Sequence, residues 1–456
     1  ETLISFNISD SISRLICIGV IGGFSEVPQL EPVFLSYDSD IKRNKLTNGL
    51  ELLYIENVEN PTFSMSYIFP YGSNHDRLLP LAASFLDFMG TGKMSAEEIS
   101  NEFYKLACNF SIRVTDEETR IILSGLSENL TEAVGLFENL VANATAKISD
   151  LELYVKNVKK SRLDSKANQR ANFQALVNYA TYGEKNPTTF TLTNDELDKL
   201  TIADLASSLQ KIWQLEHSIA FYAPQSLDEL TKLTEIHHKA PKRLLPVDKA
   251  SRFEPLDTDK EIIYFAHYDA NQSYLQTITK GIPYSKELLP EINLYNAYFG
   301  GGMNAIVFQE MREKRGLAYS SSAAYRSPST PEGVFMNVSF IATQNDKVIE
   351  AFEAFNDLFN NIPLSKNAFQ LAKEQIITDI QTERITKSGI IYTYLNDKKF
   401  GFDTDRRKLF YSQTPKMSLE EMKAFNEKYI KEKPKTYVIL GNRDQMNFDE
   451  LEKRFG

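Results

Sequence analysis

From Lys45 onward, apolar and polar positions recur regularly enough to predict elements. Leu50–Glu56 (LELLYIE) and Phe63–Pro70 (FSMSYIFP) read as β-strands separated by the turn-forming Glu59, Asn60 and Pro61. Helical spacing follows in Leu81–Met89 and Ala96–Leu106. Phe110–Val114 and Thr119–Leu123 are the next strands, and further helices are predicted over Leu130–Leu140 and from Leu151 onward. Thr201–Trp213 reads as a helix capped by Thr201 with Asp204 three residues on. A strand, Ser218–Ala223, and a helix, Leu227–Leu233, close this stretch.

Residues 239–258 are proline-bearing, charged and aperiodic, the pattern of a linker. The order of elements then restarts. Glu261–Ala266 and Ser273–Ile278 read as strands, Glu291–Ala297 and Ala305–Arg312 as helices, Leu317–Tyr325 and Val334–Ile341 as strands. Long helical patterns cover Val348–Phe359 and Ala368–Ile385. Near the end, Ser418 with Glu421 repeats the Thr201–Asp204 cap 217 positions later (418 minus 201), and the strand Thr436–Leu440 follows it as Ser218–Ala223 follows the first. That offset is too long for a solenoid repeat of roughly 20–50 residues. The prediction is an α+β chain of two homologous domains from duplication, each a mainly antiparallel sheet covered by helices on one face. The divisions are 1–44, a leader or linker; 45–238, the first domain; 239–258, the linker; and 259–456, the second domain.

Composition narrows the function classes. Of 456 residues, 42% are apolar and 25% charged, as in globular domains, so disordered and fibrous readings fall away. Lys plus Arg number 51 against 61 for Asp plus Glu, a net charge of −10 that gives no global attraction to nucleic acid or anionic lipid. Cys17 and Cys108 form no disulfide framework and no CxxC, and read as small buried hydrophobes. No run reaches the roughly 18 apolar residues of a transmembrane segment. Leu15–Phe24, preceded by Arg14, has the length of a signal-peptide core and hints at a periplasmic or exported location.

The most specific patch is Phe299–Ser320, FGGGMNAIVFQEMREKRGLAYS. Gly300, Gly301 and Gly302 precede a helix but lack the GxGxxG or GK[ST] spacing of a phosphate loop, so they read as a tight turn with close backbone approach. Arg312, Lys314 and Arg315 suit a solvated helix end. The whole patch also resembles the arginine–tyrosine region of the pitrilysin/insulinase family of zinc metallopeptidases. The resemblance runs over about residues 45–456. It implies that Arg312 and Tyr319 face a substrate chamber and donate hydrogen bonds to the substrate and to the oxyanion that develops at the scissile carbonyl.

The segment Gly72–Ile99, GSNHDRLLPLAASFLDFMGTGKMSAEEI, resembles the same family's zinc region, with its inverted HxxEH helix. Laid on that pattern, the two histidine positions are Ser84 and Phe88, and the catalytic glutamate position is Asp87. A hydroxyl and a phenyl ring do not replace two imidazoles on zinc. Asp164, 76 positions after Phe88, falls near the third ligand position but lies among Lys159, Lys160 and Arg162 and reads as a solvated helix face. His75, His217, His267 and the pair His237–His238 show no HxxxH or HxxEH spacing.

The resemblance therefore implies half of a pitrilysin-type clamshell: a non-catalytic, zinc-free half or subunit with no metal or cofactor of its own, inactive alone. Its partner would be a zinc-bearing HxxEH half, as a separate chain or the rest of a longer one, and the pair would hydrolyse peptides. The alternative is a catalytically inert scaffold or binding subunit of the same fold. An independent enzyme built on Ser84 and Asp87 is disfavoured, because no histidine lies near Ser84 in sequence to activate it.

Overall fold

The computed structural model describes residues 30–318 and 320–456; Cys17, the apolar stretch Leu15–Phe24 and Tyr319 lie outside the described residues. Two sheets organise the chain. The first contains β1 (Lys42–Lys45), β2 (Glu51–Glu56), β3 (Thr62–Phe69), β4 (Cys108–Val114), β5 (Thr119–Leu126) and β6 (Ser218–Ala223), in the order β1-β2-β6-β3-β5-β4. The second contains β7 (Ile262–His267), β8 (Gln272–Pro283), β9 (Ser320–Arg326), β10 (Val334–Gln344) and β11 (Thr436–Gly441), ordered β7-β11-β8-β10-β9. Only β2–β6 and β7–β11 pair in parallel; every other neighbouring pair is antiparallel. Removing β1 makes the two orders superimpose strand for strand, so the duplication holds in topology.

The helices repeat in the same way. The first unit has α1 (Leu79–Phe85), α2 (Ala96–Lys105), α3 (Leu130–Ala142), α4 (Ile148–Lys166), α5 (Gln169–Tyr182), α6 (Ile202–Ile212) and α7 (Leu227–His237). The second has α8 (Leu289–Phe299), α9 (Val348–Asn360), α10 (Lys366–Thr382), α11 (Lys387–Lys399), α12 (Arg407–Gln413), α13 (Leu419–Tyr429) and α14 (Phe448–Phe455). Both expected caps form: Thr201 and Ser418 each accept from the backbone N–H three residues on, and Asp204 and Glu421 reach back to the cap backbone. This reciprocal satisfaction of orphan donors is why the two patterns were legible.

Three predicted elements differ. The helix Ala305–Arg312 is α-helical only over Ile306–Phe308; from Gln309 to Lys314 the turns widen, and Arg315 N–H reaches five residues back to Glu310 O at 3.2 Å. The helix Ala368–Ile385 stops at Thr382 and a new one starts at Lys387. The strand predicted from Leu317 begins at Ser320, because Leu317 is taken into the core and its carbonyl accepts from Thr343 Oγ1 at 2.6 Å.

The sheets are also covered on more than one face. One face of each packs on its own unit's helices, in cores that include Leu52, Tyr54, Ile219 and Phe221 in the first unit and Tyr437 and Ile439 in the second. The other face receives a helix from the opposite unit. Phe173, Val177 and Ala180 of α5 pack on Ile278, Val338, Val438 and Leu440 of the second sheet. Ile390 and Ile391 of α11 pack on Leu53, Ile55, Ile68 and Ala220 of the first. The central strands are thus buried on both sides, which explains the unbroken apolar runs LLYI and YVIL in β2 and β11. Each fully buried side chain of this size contributes about 1.5–3 kcal/mol, so the exchange ties the units firmly together.

Candidate functional site

Ser84 lies on α1, and Asp87 and Phe88 on the single 3₁₀ turn that continues it. The Ser84 hydroxyl lies within hydrogen-bond reach of Pro80 O (3.1 Å) and Leu81 O (3.2 Å), and it is hydrogen-bonded to the Tyr154 hydroxyl of α4. Tyr154 itself donates to Leu81 O at 3.1 Å. The Phe88 ring stacks on Phe85 with centroids 5.7 Å apart and lies 5.9 Å from the Tyr154 ring. Burial pushes the Asp87 carboxyl up from its ordinary value. A zinc site needs three or four thiolate, imidazole or carboxylate donors; two neutral hydroxyls and a stack of rings do not fit the ion. Among the described residues, no group of three or more His, Cys, Asp or Glu is placed to hold a metal.

Asp164, the residue nearest the expected third ligand position in sequence, is not at this place. It is exposed, ten residues beyond Tyr154 on the same helix, hence about 15 Å further along the axis at 1.5 Å per residue. Tyr154 is the residue sequence reasoning missed. Its signal, an aromatic in the apolar stripe of LELYVKNV, is the one any core position gives.

The glycine patch is built by close approach. A Cβ on Gly300 would stand 1.7 Å from Ala323 O of β9, and Gly302 has φ +109°, so both positions require glycine. The N–H groups of Gly300 and Gly301 both donate to Asn296 O, at 3.0 and 2.8 Å, which closes α8 and leaves neither free to cradle a phosphate. Asn296 then seals β9 in both directions: its Nδ2 donates to Tyr325 O at 3.1 Å and its Oδ1 accepts from Tyr325 N–H at 2.8 Å.

Arg312 rides the widened turn that follows. Met311 and Leu317, both buried, anchor the turn at either end, and Arg315 is tied to Asp357 of α9 at 3.0 Å. Between these anchors the half-buried Arg312 guanidinium lies 5.0 Å from the centre of the Phe308 ring and 3.5 Å from Glu313. A turn with five-residue spacing inside a helix is found frequently at functional sites. Tyr319, its expected companion, lies outside the described residues.

Comparison with known proteins meets this geometry. Residues 199–376 match the family profile described as the peptidase M16 inactive domain. A protein of Rickettsia felis named an uncharacterized zinc protease is 24% identical over 336 residues, 67% of this chain and 74% of its own length. Among solved structures, the peptidase M16 inactive domain from Pseudomonas fluorescens superposes with a TM-score of 0.71 at 19% identity, covering 88% of this chain and 98% of that one. The periplasmic protease PqqL from Escherichia coli superposes at 0.69 and 13% identity; it covers 97% of this chain, which spans 49% of PqqL. Residues 199–376 therefore carry the inactive domain of the pitrilysin-like M16 peptidases, and the fold around them is the one these proteins share.

Proposed function

We propose that this chain is the non-catalytic half or subunit of a pitrilysin-type zinc metallopeptidase. Its partner supplies the zinc and the glutamate of an HxxEH helix, and the chain supplies part of the chamber wall with Arg312 and Tyr319. The observation that carries the reading is the contrast between two patches. The metal position is rebuilt from Ser84, Phe88 and Tyr154, while the REKRGLAY stretch keeps both hydrogen-bond donors. In this reading the guanidinium and the phenol bind the peptide near the scissile carbonyl and donate to the oxygen as charge develops on it. Residues 45–238 and 259–456 are the two domains, with 239–258 the linker between them. PqqL, with this fold over about half its length, supports pairing with a second half, and its periplasmic location supports an exported one.

The test is reconstitution with a zinc-bearing HxxEH partner. Peptidase activity arises in the mixture and in neither chain alone. Arg312→Ala and Tyr319→Phe each lower kcat by about 10²–10³ when the donor acts in a dry, preorganised site, and leave assembly on a sizing column unchanged. Full activity in both variants makes the chain an inert scaffold.

A further inference from the structure

Three ionisable side chains are joined head to tail in the core of the first unit. Glu138 comes from α3, His217 stands just ahead of β6, and His238 caps the C-terminus of α7; none is more than 8% exposed. His217 Nδ1 meets Leu215 O at 2.6 Å, His217 Nε2 meets His238 Nε2 at 3.0 Å, and His238 Nδ1 meets Glu138 Oε1 at 2.7 Å. Glu138 also accepts from the Tyr67 hydroxyl at 2.7 Å and from the donor-only indole N–H of Trp213 at 3.1 Å.

The protons in this chain can be counted. A carbonyl only accepts, so His217 Nδ1 carries a hydrogen. The contact between the two Nε2 atoms needs one hydrogen, and the contact between His238 and the carboxylate needs another. That makes three hydrogens among two imidazole rings, whose neutral forms hold two, and one carboxyl. The carboxyl already accepts from Tyr67 and Trp213, which favours its charged form and puts the third hydrogen on a ring. We infer that Glu138, His238 and His217 form a proton-bound clamp, with His238 an imidazolium between a carboxylate and a neutral ring, that holds the end of α7 and the start of segment 239–258 to the core of the first unit. Without the extra proton, a neutral His238 supplies a hydrogen to only one of its two contacts. Either the two Nε2 atoms 3.0 Å apart or His238 Nδ1 and the carboxylate 2.7 Å apart then face each other with none, and a buried polar group left unpaired is destabilising.

The surroundings agree. Burial, then the neighbouring His238, pushes the His217 ring down to about 3, so it remains the neutral acceptor. Burial and Glu138 hold the Tyr67 phenol far above its ordinary value, so it remains a donor. Tyr67 from β3, Glu138 from α3 and His217 ahead of β6 are the titratable groups in contact with the His238 ring, and the Trp213 and Tyr67 rings close its sides at 6.4 and 5.3 Å.

The experiment is nitrogen-15 NMR of the full chain labelled at histidine, at pH 7.5. One buried ring should show both nitrogens protonated, and a second should be neutral, protonated at Nδ1 and coupled to the first across the Nε2 bridge. His238→Asn assigns the pair. Glu138→Gln, which keeps the shape and removes the counter-charge, should return the ring to neutral at the same pH. Two neutral buried rings in the unmodified chain, or an imidazolium that survives Glu138→Gln, overturn the clamp. If Glu138→Gln does not fold, the spectrum of the unmodified chain decides by itself. A folded state that keeps one proton more than the unfolded chain also loses stability as pH rises, so between pH 7.5 and 9 the unfolding constant should climb by up to about tenfold per unit. A flat profile there counts against the clamp.

Discussion

The Tyr37 hydroxyl donates to Asp397 Oδ2 at 2.5 Å across 360 positions of sequence. It belongs to a clasp that fastens the segment ahead of β1 to the second unit. Leu35 N–H donates to Asp405 Oδ2 at 2.9 Å, and Arg407 donates to Asp405 at 2.6 Å and to Val33 O at 3.0 Å. Burial pushes the Asp405 carboxyl up, but the hydrogen bonds from Arg407 and from the Leu35 and Arg407 amides outweigh it and hold the group below its ordinary value.

Asp405→Asn leaves the buried Arg407 guanidinium with only the exposed Glu383 carboxylate, at 3.3 Å, as counter-charge, so it should cost up to the about 3–5 kcal/mol seen when a buried pair is broken on one side. Urea unfolding of the two proteins at pH 7 measures it. Because the folded carboxyl is depressed, its contribution is complete above the ordinary aspartate range and disappears as pH falls below about 4. The gap between wild type and variant should therefore narrow in acid; a gap that widens there contradicts the ion pair.

The chain purified without chelators should carry well under one zinc per molecule, because Ser84, Phe88 and Tyr154 offer no imidazole or carboxylate. The triple variant Ser84→His, Phe88→His, Tyr154→Glu should gain zinc, while the same histidines with Tyr154 left in place should bind it far more weakly. Metal analysis of the three proteins compares them. Equal binding with and without Tyr154→Glu would place the third donor elsewhere.

The exchanged helices make the two units one cooperative structure. Phe173 is 6% exposed and meets the Tyr274 and Phe340 rings edge-on at 5.6 and 5.8 Å, so Phe173→Ala should cost about 3–5 kcal/mol. Ile390→Ala, its counterpart on α11, should cost about 2–5 kcal/mol. Each should lower the whole calorimetric transition rather than split it; two resolved transitions would mean that the sheets unfold separately.

Gly300→Ala drives a methyl into Ala323 O and must part α8 from β9, which should cost at least the 1–3 kcal/mol usual for about one inserted methyl. Gly92→Ala is the control, since nothing lies within 4 Å of its added Cβ. It should stay within about 0.5 kcal/mol of wild type in thermal unfolding. Equal stability of the two variants would refute the close approach.

Much of this architecture was legible from residue pattern alone. The strand Ser218–Ala223 has the predicted limits, and the capped helices at Thr201 and Ser418 begin where the serine or threonine with an acid three residues on says they should. Such signals are local: a cap satisfies donors one turn away, and a period of two or 3.6 needs only its own strand or helix. The glycine patch was legible for the same reason, since the demand on Gly302 is a backbone angle.

What the sequence could not state depends on groups far apart along the chain. The apolar faces of α5 and α11 are visible in sequence, but which sheet each covers is decided by the fold, because burial rewards apolar contact without regard to direction or partner. That Tyr154 rather than Asp164 meets Ser84 follows from how α4 packs over α1, and no spacing encodes the depth of a helix in its groove. His217 and His238 lack any metal or catalytic spacing, and sequence leaves them as isolated histidines. Only the packing of α7 against α3, with the residue ahead of β6 brought to its end, sets their nitrogens 3.0 Å apart beside Glu138, and the proton they share exists because of that approach.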